Sequence, residues 1–224
     1  MIKFAPEGYP FIFGSLLLTA VASISLLLGW KAGSSKMILY VLFFAFCLFL
    51  MLTFFMAFFF RDPDREIPGG EGLFVSPADG RVMLIRDVLE KDYLKTGTKE
   101  ISIFMSPLNV HVNRSPCDGK VSIVKYSPGK YMAAYKEDSS IKNENIVTVL
   151  EGKQGRVLVR QVAGFLARRA VCRAKVGDVL KRGERYGIIK FSSRLDIYLP
   201  QDAGIKVKIG DRVKAGESVI AAVK

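Results

Sequence analysis

Two long apolar segments open the chain, and nothing like them recurs. Residues 8–30 and 37–60 carry no charge over 23 and 24 positions, each enough for the roughly 20 apolar residues a helix needs to cross a bilayer. Tyr9, Trp30 and Tyr40 lie near the segment ends, where amphipathic rings favour the headgroup level. The link Lys31-Ala-Gly-Ser-Ser-Lys36 is too short for a domain, so the pair reads as a helical hairpin. A secretory signal fits the first segment poorly. Its apolar run is too long, only Lys3 precedes it, and a second span follows without a cleavage signature. The pattern changes after Arg61-Asp-Pro-Asp-Arg-Glu-Ile-Pro-Gly-Gly70, a polar, Pro/Gly-rich connector that stops the helix. Beyond it come short runs rich in Val, Ile and Phe, punctuated by Gly, Asp and Pro. Strands are expected at 72–75, 101–105, 121–124, 146–150 and 156–162. Long helical periodicity is absent there, and one short helix is expected near Tyr131. The expected architecture is a mainly β domain over 61–224 behind a transmembrane hairpin over 1–60.

Two internal echoes refine the β domain. Ser76-Pro-Ala-Asp-Gly-Arg-Val82 returns as Ser115-Pro-Cys-Asp-Gly-Lys-Val121, and Gly177-Asp-Val-Leu-Lys-Arg-Gly-Glu184 returns as Gly210-Asp-Arg-Val-Lys-Ala-Gly-Glu217. Each places a tight Asp-Gly or Gly-Asp turn beside a strand, with Gly free to take positive φ. The Gly-Asp pattern resembles the hairpins of biotinyl/lipoyl-type barrel-sandwich folds, so a barrel-sandwich-hybrid-like domain is expected. No lysine stands in the Met-Lys or Asp-Lys context of a swinging-arm carrier. Asp118, Asp178 and Asp211 read as turn formers, and by turn chemistry alone Asp79 does too.

Charge adds a partner class. The chain carries +12, of which the first 60 residues, with Lys3, Lys31, Lys36 and Glu7, supply +2 and residues 61–224 supply +10. A basic domain tethered at a bilayer suits anionic lipid or nucleic acid. The tether favours lipid, and no nucleic-acid motif is present. Cys47 lies inside a span, which leaves Cys117 and Cys172 with neither a disulfide framework nor a CxxC metal pair. All three read as inert thiols. Positive charges on both sides of the spans barely discriminate orientation; the cytoplasmic face is the expected side for the domain.

Candidate chemistry concentrates in two places. Gly187-Ile-Ile-Lys-Phe-Ser-Ser-Arg-Leu-Asp-Ile-Tyr-Leu-Pro200 is a strand-like run broken by two adjacent serines that no turn requires. A Ser193 hydroxyl there could attack the carbonyl before it, moving the acyl group from nitrogen to oxygen. Elimination of that ester would leave a pyruvoyl group at the new N-terminus. The other place is His111, the single histidine. Lone histidines are usually satisfied structural residues, and one without a His/Cys/Glu cluster argues against a metal site. In an enzyme, His111 would be the only unperturbed side chain titrating near neutrality and hence the natural proton carrier.

At these residues the chain resembles the short, membrane-anchored phosphatidylserine decarboxylase proenzymes. The resemblance rests on Phe58-Phe-Phe-Arg-Asp-Pro63, Ser76-Pro-Ala-Asp-Gly80 and Met105-Ser-Pro-Leu-Asn-Val-His-Val-Asn-Arg114. Arg160-Gln-Val-Ala-Gly-Phe-Leu-Ala-Arg-Arg169 and Gly183-Glu-Arg-Tyr-Gly-Ile-Ile-Lys-Phe-Ser-Ser-Arg194 complete it, and together these parts cover nearly the whole chain. It implies decarboxylation of phosphatidylserine to phosphatidylethanolamine through a Schiff base with a self-generated pyruvoyl group at Ser193. It also implies cleavage into a large chain, 1–192, and an associated small chain, 193–224, at the cell (inner) membrane. An Asp-His-Ser arrangement carries onto Asp79, which would orient His111, and onto His111 and Ser193. Arg114, Arg168 and Arg169 are candidate ligands of the lipid phosphate. No metal is implied, and a homo-oligomer is compatible with the reading. Two positions depart from the family pattern. Ser192 stands where Gly usually precedes the cleaved serine, crowding the attacked carbonyl and raising a cleavage-impaired variant as an alternative. Arg114 stands where another branch carries a second histidine. A non-catalytic, membrane-tethered adaptor of the same architecture is the competing reading.

Overall fold

The computed structural model describes residues 3–130, 143–164, 169–190 and 193–223; the helix expected near Tyr131 lies outside them. The chain divides into two compact units, Met1–Pro63 and Asp64–Lys224.

The first unit is a helical hairpin. A 3-10 turn at Pro6–Gly8 leads into α1 (Tyr9–Lys31), and α2 (Lys36–Phe59) follows. Both helices are long and apolar enough to cross a membrane. Gly33, at φ 69°, supplies the left-handed residue that turns the chain between them. The Thr19 and Thr53 hydroxyls meet at 3.0 Å, and each also lies 2.9 Å from a carbonyl of its own helix, Ser15 O and Phe49 O respectively, so that one can donate across the pair while the other donates along its helix. Such pairs join helices where the surroundings are as apolar as the side chains and give no hydrophobic drive to associate.

The second unit is mainly β. Its strands are β1 (Leu73–Val75), β2 (Gly80–Glu90), β3 (Thr96–Met105), β4 (Val112–Arg114), β5 (Gly119–Ser127), β6 (Asn145–Gly152), β7 (Gly155–Ala163) and β8 (Arg169–Cys172). Then come β9 (Val179–Leu180), β10 (Arg185–Lys190), β11 (Ser193–Pro200), β12 (Gly204–Ile205), β13 (Arg212–Val213) and β14 (Val219–Ala222). Eight of these form a curled antiparallel sheet in the order β13-β2-β3-β11-β7-β6-β5-β9, and two three-stranded sheets, β1-β14-β12 and β4-β10-β8, accompany it. The expected runs at 101–105, 121–124, 146–150 and 156–162 fall within β3, β5, β6 and β7, and the run at 72–75 starts one residue before β1.

Alternation along β11 shows how the sequence makes this sheet two-sided. Leu195, Ile197 and Leu199 join the main core with Ile101, Ile103, Met105, Val157 and Val159. On the opposite face Arg194 donates to Ser102 Oγ at 2.8 Å and to Asp196, and lies 3.5 Å from Glu100. Tyr198 donates to Glu100 at 3.2 Å and packs with Leu94, Val147, Val149 and Leu158. Arg194 is only 1% exposed, so the strand is pinned immediately after Ser193.

The echoed segments fold alike. Ser76 Oγ donates to Ala78 O and Ser115 Oγ to Cys117 O, both at 2.7 Å. Gly210 N donates to Val82 O and Gly177 N to Val121 O, both at 2.8 Å. Gly177 and Gly210 have φ of 99° and 98°, values that favour glycine.

Candidate functional site

Three short connections link the segments that carry the candidate residues. The turn carrying Asp79 meets the strand that follows His111, because Arg114 N donates to Pro77 O at 3.0 Å. That strand, β4, pairs with β10, with Val112 opposite Ile188, and Ile189 N donates to His111 O at 3.3 Å. After β10 the chain reaches Ser193, first residue of β11, held between Met105 of β3 and Ala163 of β7. A residue between two ladders has little freedom, and Ser193 is wholly buried.

The hydrogen bonds are specific. Ser193 Oγ donates to Met105 Sδ at 3.4 Å, a weak acceptor. His111, also fully buried, has its Nδ1 3.0 Å from Asn109 O. Asn109 itself closes a tight turn, its Oδ1 accepting from Ser106 N at 2.9 Å. The turn therefore fixes the imidazole through a backbone carbonyl. Asp79 accepts from Ala215 N at 2.7 Å and from Arg65 Nη2 at 2.8 and 3.0 Å. Arg65 also lies 3.4 Å from Glu217, and its side chain is only 7% exposed. These bonds hold a carboxylate in the turn next to the histidine strand.

The remaining candidates separate. Arg114 is buried and donates to Gly183 O at 2.9 Å. Arg169 is exposed at the start of β8, opposite Lys190 at the end of β10. Arg168 and Ser192 lie outside the described residues.

Sequence reasoning did not single out Arg65, Lys190, Asn113 or Gln161. Gln161 is fully buried on β7, and its Nε2 donates to Asn113 Oδ1 at 2.9 Å and to Val171 O at 3.2 Å. Its Oε1 has no donor among the described residues, a condition that costs about 1–3 kcal/mol for a buried polar atom. One glycine makes room for this amide. A Cβ on Gly187 would stand 2.5 Å from Val171 O and 2.8 Å from Gln161 Nε2. A lone amide amid the apolar run 157–163 was the available signal for Gln161. Both thiols of the β unit are held protonated: burial, aided by Asp118, pushes Cys117 up to about 12, and burial raises Cys172.

The family model for phosphatidylserine decarboxylase matches residues 52–221, a stretch that contains every residue of this site. The chain belongs to that family. It is 47% identical over 220 residues to the phosphatidylserine decarboxylase proenzyme of Citrifermentans bemidjiense, covering 96% of this chain and 94% of that protein. The proenzyme of Geotalea uraniireducens is 44% identical over 217 residues, with the same coverages of 96% and 94%. The proenzyme of Amoebophilus asiaticus is 42% identical over 224 residues, covering 100% of this chain and 97% of that protein. Membership in the phosphatidylserine decarboxylase family is thus shared over nearly the full length, the apolar helices included. The family argues against the adaptor reading.

Proposed function

We propose that this chain is a membrane-anchored phosphatidylserine decarboxylase that matures by cutting itself between Ser192 and Ser193. The observation that carries the proposal is the position of Ser193. It heads a central strand, wholly buried, and the strand that follows His111 pairs with β10, which ends three residues before Ser193. His111 takes the Ser193 proton, and Oγ attacks the Ser192 carbonyl. The acyl group moves from nitrogen to oxygen, elimination of the ester frees the large chain as its carboxylate and leaves dehydroalanine on the small one, and the imine tautomer of that residue takes up water and loses ammonia to become the pyruvoyl group. Asp79, clamped by Arg65 and Ala215 N, provides the fixed negative charge that favours the imidazolium formed in that step.

The residues present suit a pyruvoyl group. Ala163 and Met105 flank Ser193, and neither carries a nucleophile that would consume a ketone. When formed, the group supplies an electron sink for the pair released as the substrate carboxylate leaves. His111 then returns a proton to the substrate carbon. Arg169 and Lys190, paired across the strand ends that precede the cut, bind the lipid phosphate as cations. Arg168 remains a candidate for the same task, and Arg114 contributes by holding the Gly183 turn. The two apolar helices tether the domain to the cell membrane, with the domain on the cytoplasmic face.

Intact mass of the purified full chain tests the proposal. Two fragments are expected, with the small one beginning at residue 193 and carrying a blocked N-terminus. Ser193→Ala should give one uncut, inactive chain, and His111→Ala should abolish decarboxylation. A small fragment one serine longer would move the nucleophile to Ser192, and a cut Ser193→Ala chain would overturn the reading. For orientation, protease added to intact cells should spare residues 61–224.

A further inference from the structure

A line of buried polar contacts runs through the inside of the curled sheet to the serine. Gln161 Nε2 is spent on Asn113 Oδ1 at 2.9 Å and Val171 O at 3.2 Å. Asn113 Nδ2 faces Met105 Sδ at 3.9 Å, and that sulfur takes the Ser193 hydroxyl at 3.4 Å. Gln161, Asn113, Met105 and Ser193 are all fully buried, and they come from β7, β4, β3 and β11. Asn113 is also two residues beyond His111 on the same chain segment. Ordinary core packing would place apolar side chains at positions 113 and 161. Instead two amides are kept, one with an oxygen that has no donor among the described residues. Natural cores seldom tolerate such an atom without a reason.

We propose that Gln161, Asn113 and Met105 are positioning residues for the self-cleavage reaction. Gln161 locks the Asn113 amide, Asn113 fixes the Met105 thioether, and the sulfur holds Ser193 Oγ in the rotamer from which it attacks. The choice of sulfur has a physical logic. A carbonyl or carboxylate would orient the hydroxyl but compete for its proton, whereas a thioether accepts weakly and yields the proton cheaply to the base. The inference rests on the reading of Ser193 as the nucleophile.

The test follows the rate at which the newly synthesised full chain is cut, by intact mass over time, alongside the unfolding midpoint of each protein. Met105→Leu keeps the volume and removes the acceptor. It should slow cleavage by about tenfold, the scale of one modest hydrogen bond, with little change in the midpoint. Gln161→Leu should slow cleavage similarly, and the double variant should be no slower than the slower single one, because all act on one hydroxyl. Cleavage of Met105→Leu at the unaltered rate, or a double effect equal to the product of the singles, would overturn the inference. Should Gln161→Leu fail to fold, the Met105→Leu rate decides alone. Ser193→Ala separates the two levels: if that chain is still cut, the nucleophile is misassigned, whereas an uncut Ser193→Ala with a normally cut Met105→Leu refutes only the positioning.

Discussion

The two echoed halves of the β domain are built on one plan, yet their aspartates end in different surroundings. In the first half Asp79 accepts from Ala215 N at 2.7 Å, and in the second Asp118 accepts from Arg182 N at 2.8 Å. Ala215 and Arg182 hold equivalent places, each immediately before the matching glycines Gly216 and Gly183, both at φ 79°. The turns differ in what else reaches them. Asp79 is nearly buried and meets the guanidinium of Arg65, whereas Asp118 is exposed. Turn chemistry therefore explains why an aspartate stands at both positions. The added cation and the burial explain why only one of them sits in a buried ion pair.

The sharpest way to break this comparison is to neutralise each aspartate in turn. Asp79→Asn keeps an acceptor for Ala215 N but leaves Arg65 beside an uncharged partner. With side-chain exposures of 7% and 11% for the pair, the loss should approach the roughly 3–5 kcal/mol of a broken buried ion pair. Self-cleavage should fall by about a hundredfold or more, within the range of proton-transfer catalysis. Asp118→Asn should leave cleavage unchanged and cost about 1 kcal/mol or less, as for other capping-type bonds. Denaturant titration and intact mass read both effects, and equal losses of cleavage from the two variants would erase the distinction.

A weaker contrast involves the glycines that follow these aspartates. A Cβ on Gly80 would stand 2.2 Å from Phe104 O and 2.8 Å from Ile103, whereas one on Gly119 meets Glu151 O at 3.1 Å. Gly80→Ala should therefore cost about 3 kcal/mol and Gly119→Ala about 1 kcal/mol, by the usual scale of overpacking. Chemical unfolding in detergent would rank them, and the reverse order would show that the halves are not packed as described.

The smallest effect concerns Cys117, which occupies the place of Ala78 in the echo. Burial raises its pKa from 9.0 to about 12, so above pH 9 the unfolded chain loses a proton that the folded chain retains. Stability should fall as pH rises through the window from 9.0 to about 12. Cys117→Ala should lessen that fall without abolishing it, because burial also raises Cys172 and lifts Tyr186 well above 10.0. An unchanged alkaline slope in the variant would show that Cys117 is not the source.

Much of the fold could be read in advance, for reasons the structure makes plain. The expected spans 8–30 and 37–60 differ by one residue at each end from α1 and α2, because uncharged runs bounded by Glu7 and Lys31 and by Lys36 and Arg61 leave little choice. The echoes were visible because tight turns restrict residue type. Strand order was not legible, since antiparallel neighbours distant in sequence, such as β11 between β3 and β7, leave no mark on local pattern. The same limit hid Arg65, whose partner Asp79 is 14 residues away and whose own segment reads as a solvated connector. It hid Lys190 as well, which becomes a candidate only once the β8–β10 register sets it opposite Arg169.

The place of β11 between two ladders has a consequence for how the protein can be lost and regained. Before the cut, folding is a unimolecular event in which β11 inserts between strands of its own chain. After a cut ahead of Ser193, the segment 193–224 still supplies β11 through β14, including a central strand of the main sheet, but no covalent bond restrains it. Unfolding then releases two molecules, and refolding becomes concentration-dependent. In dilute solution the durability of a chain cut there would accordingly be set by how slowly the sheet opens.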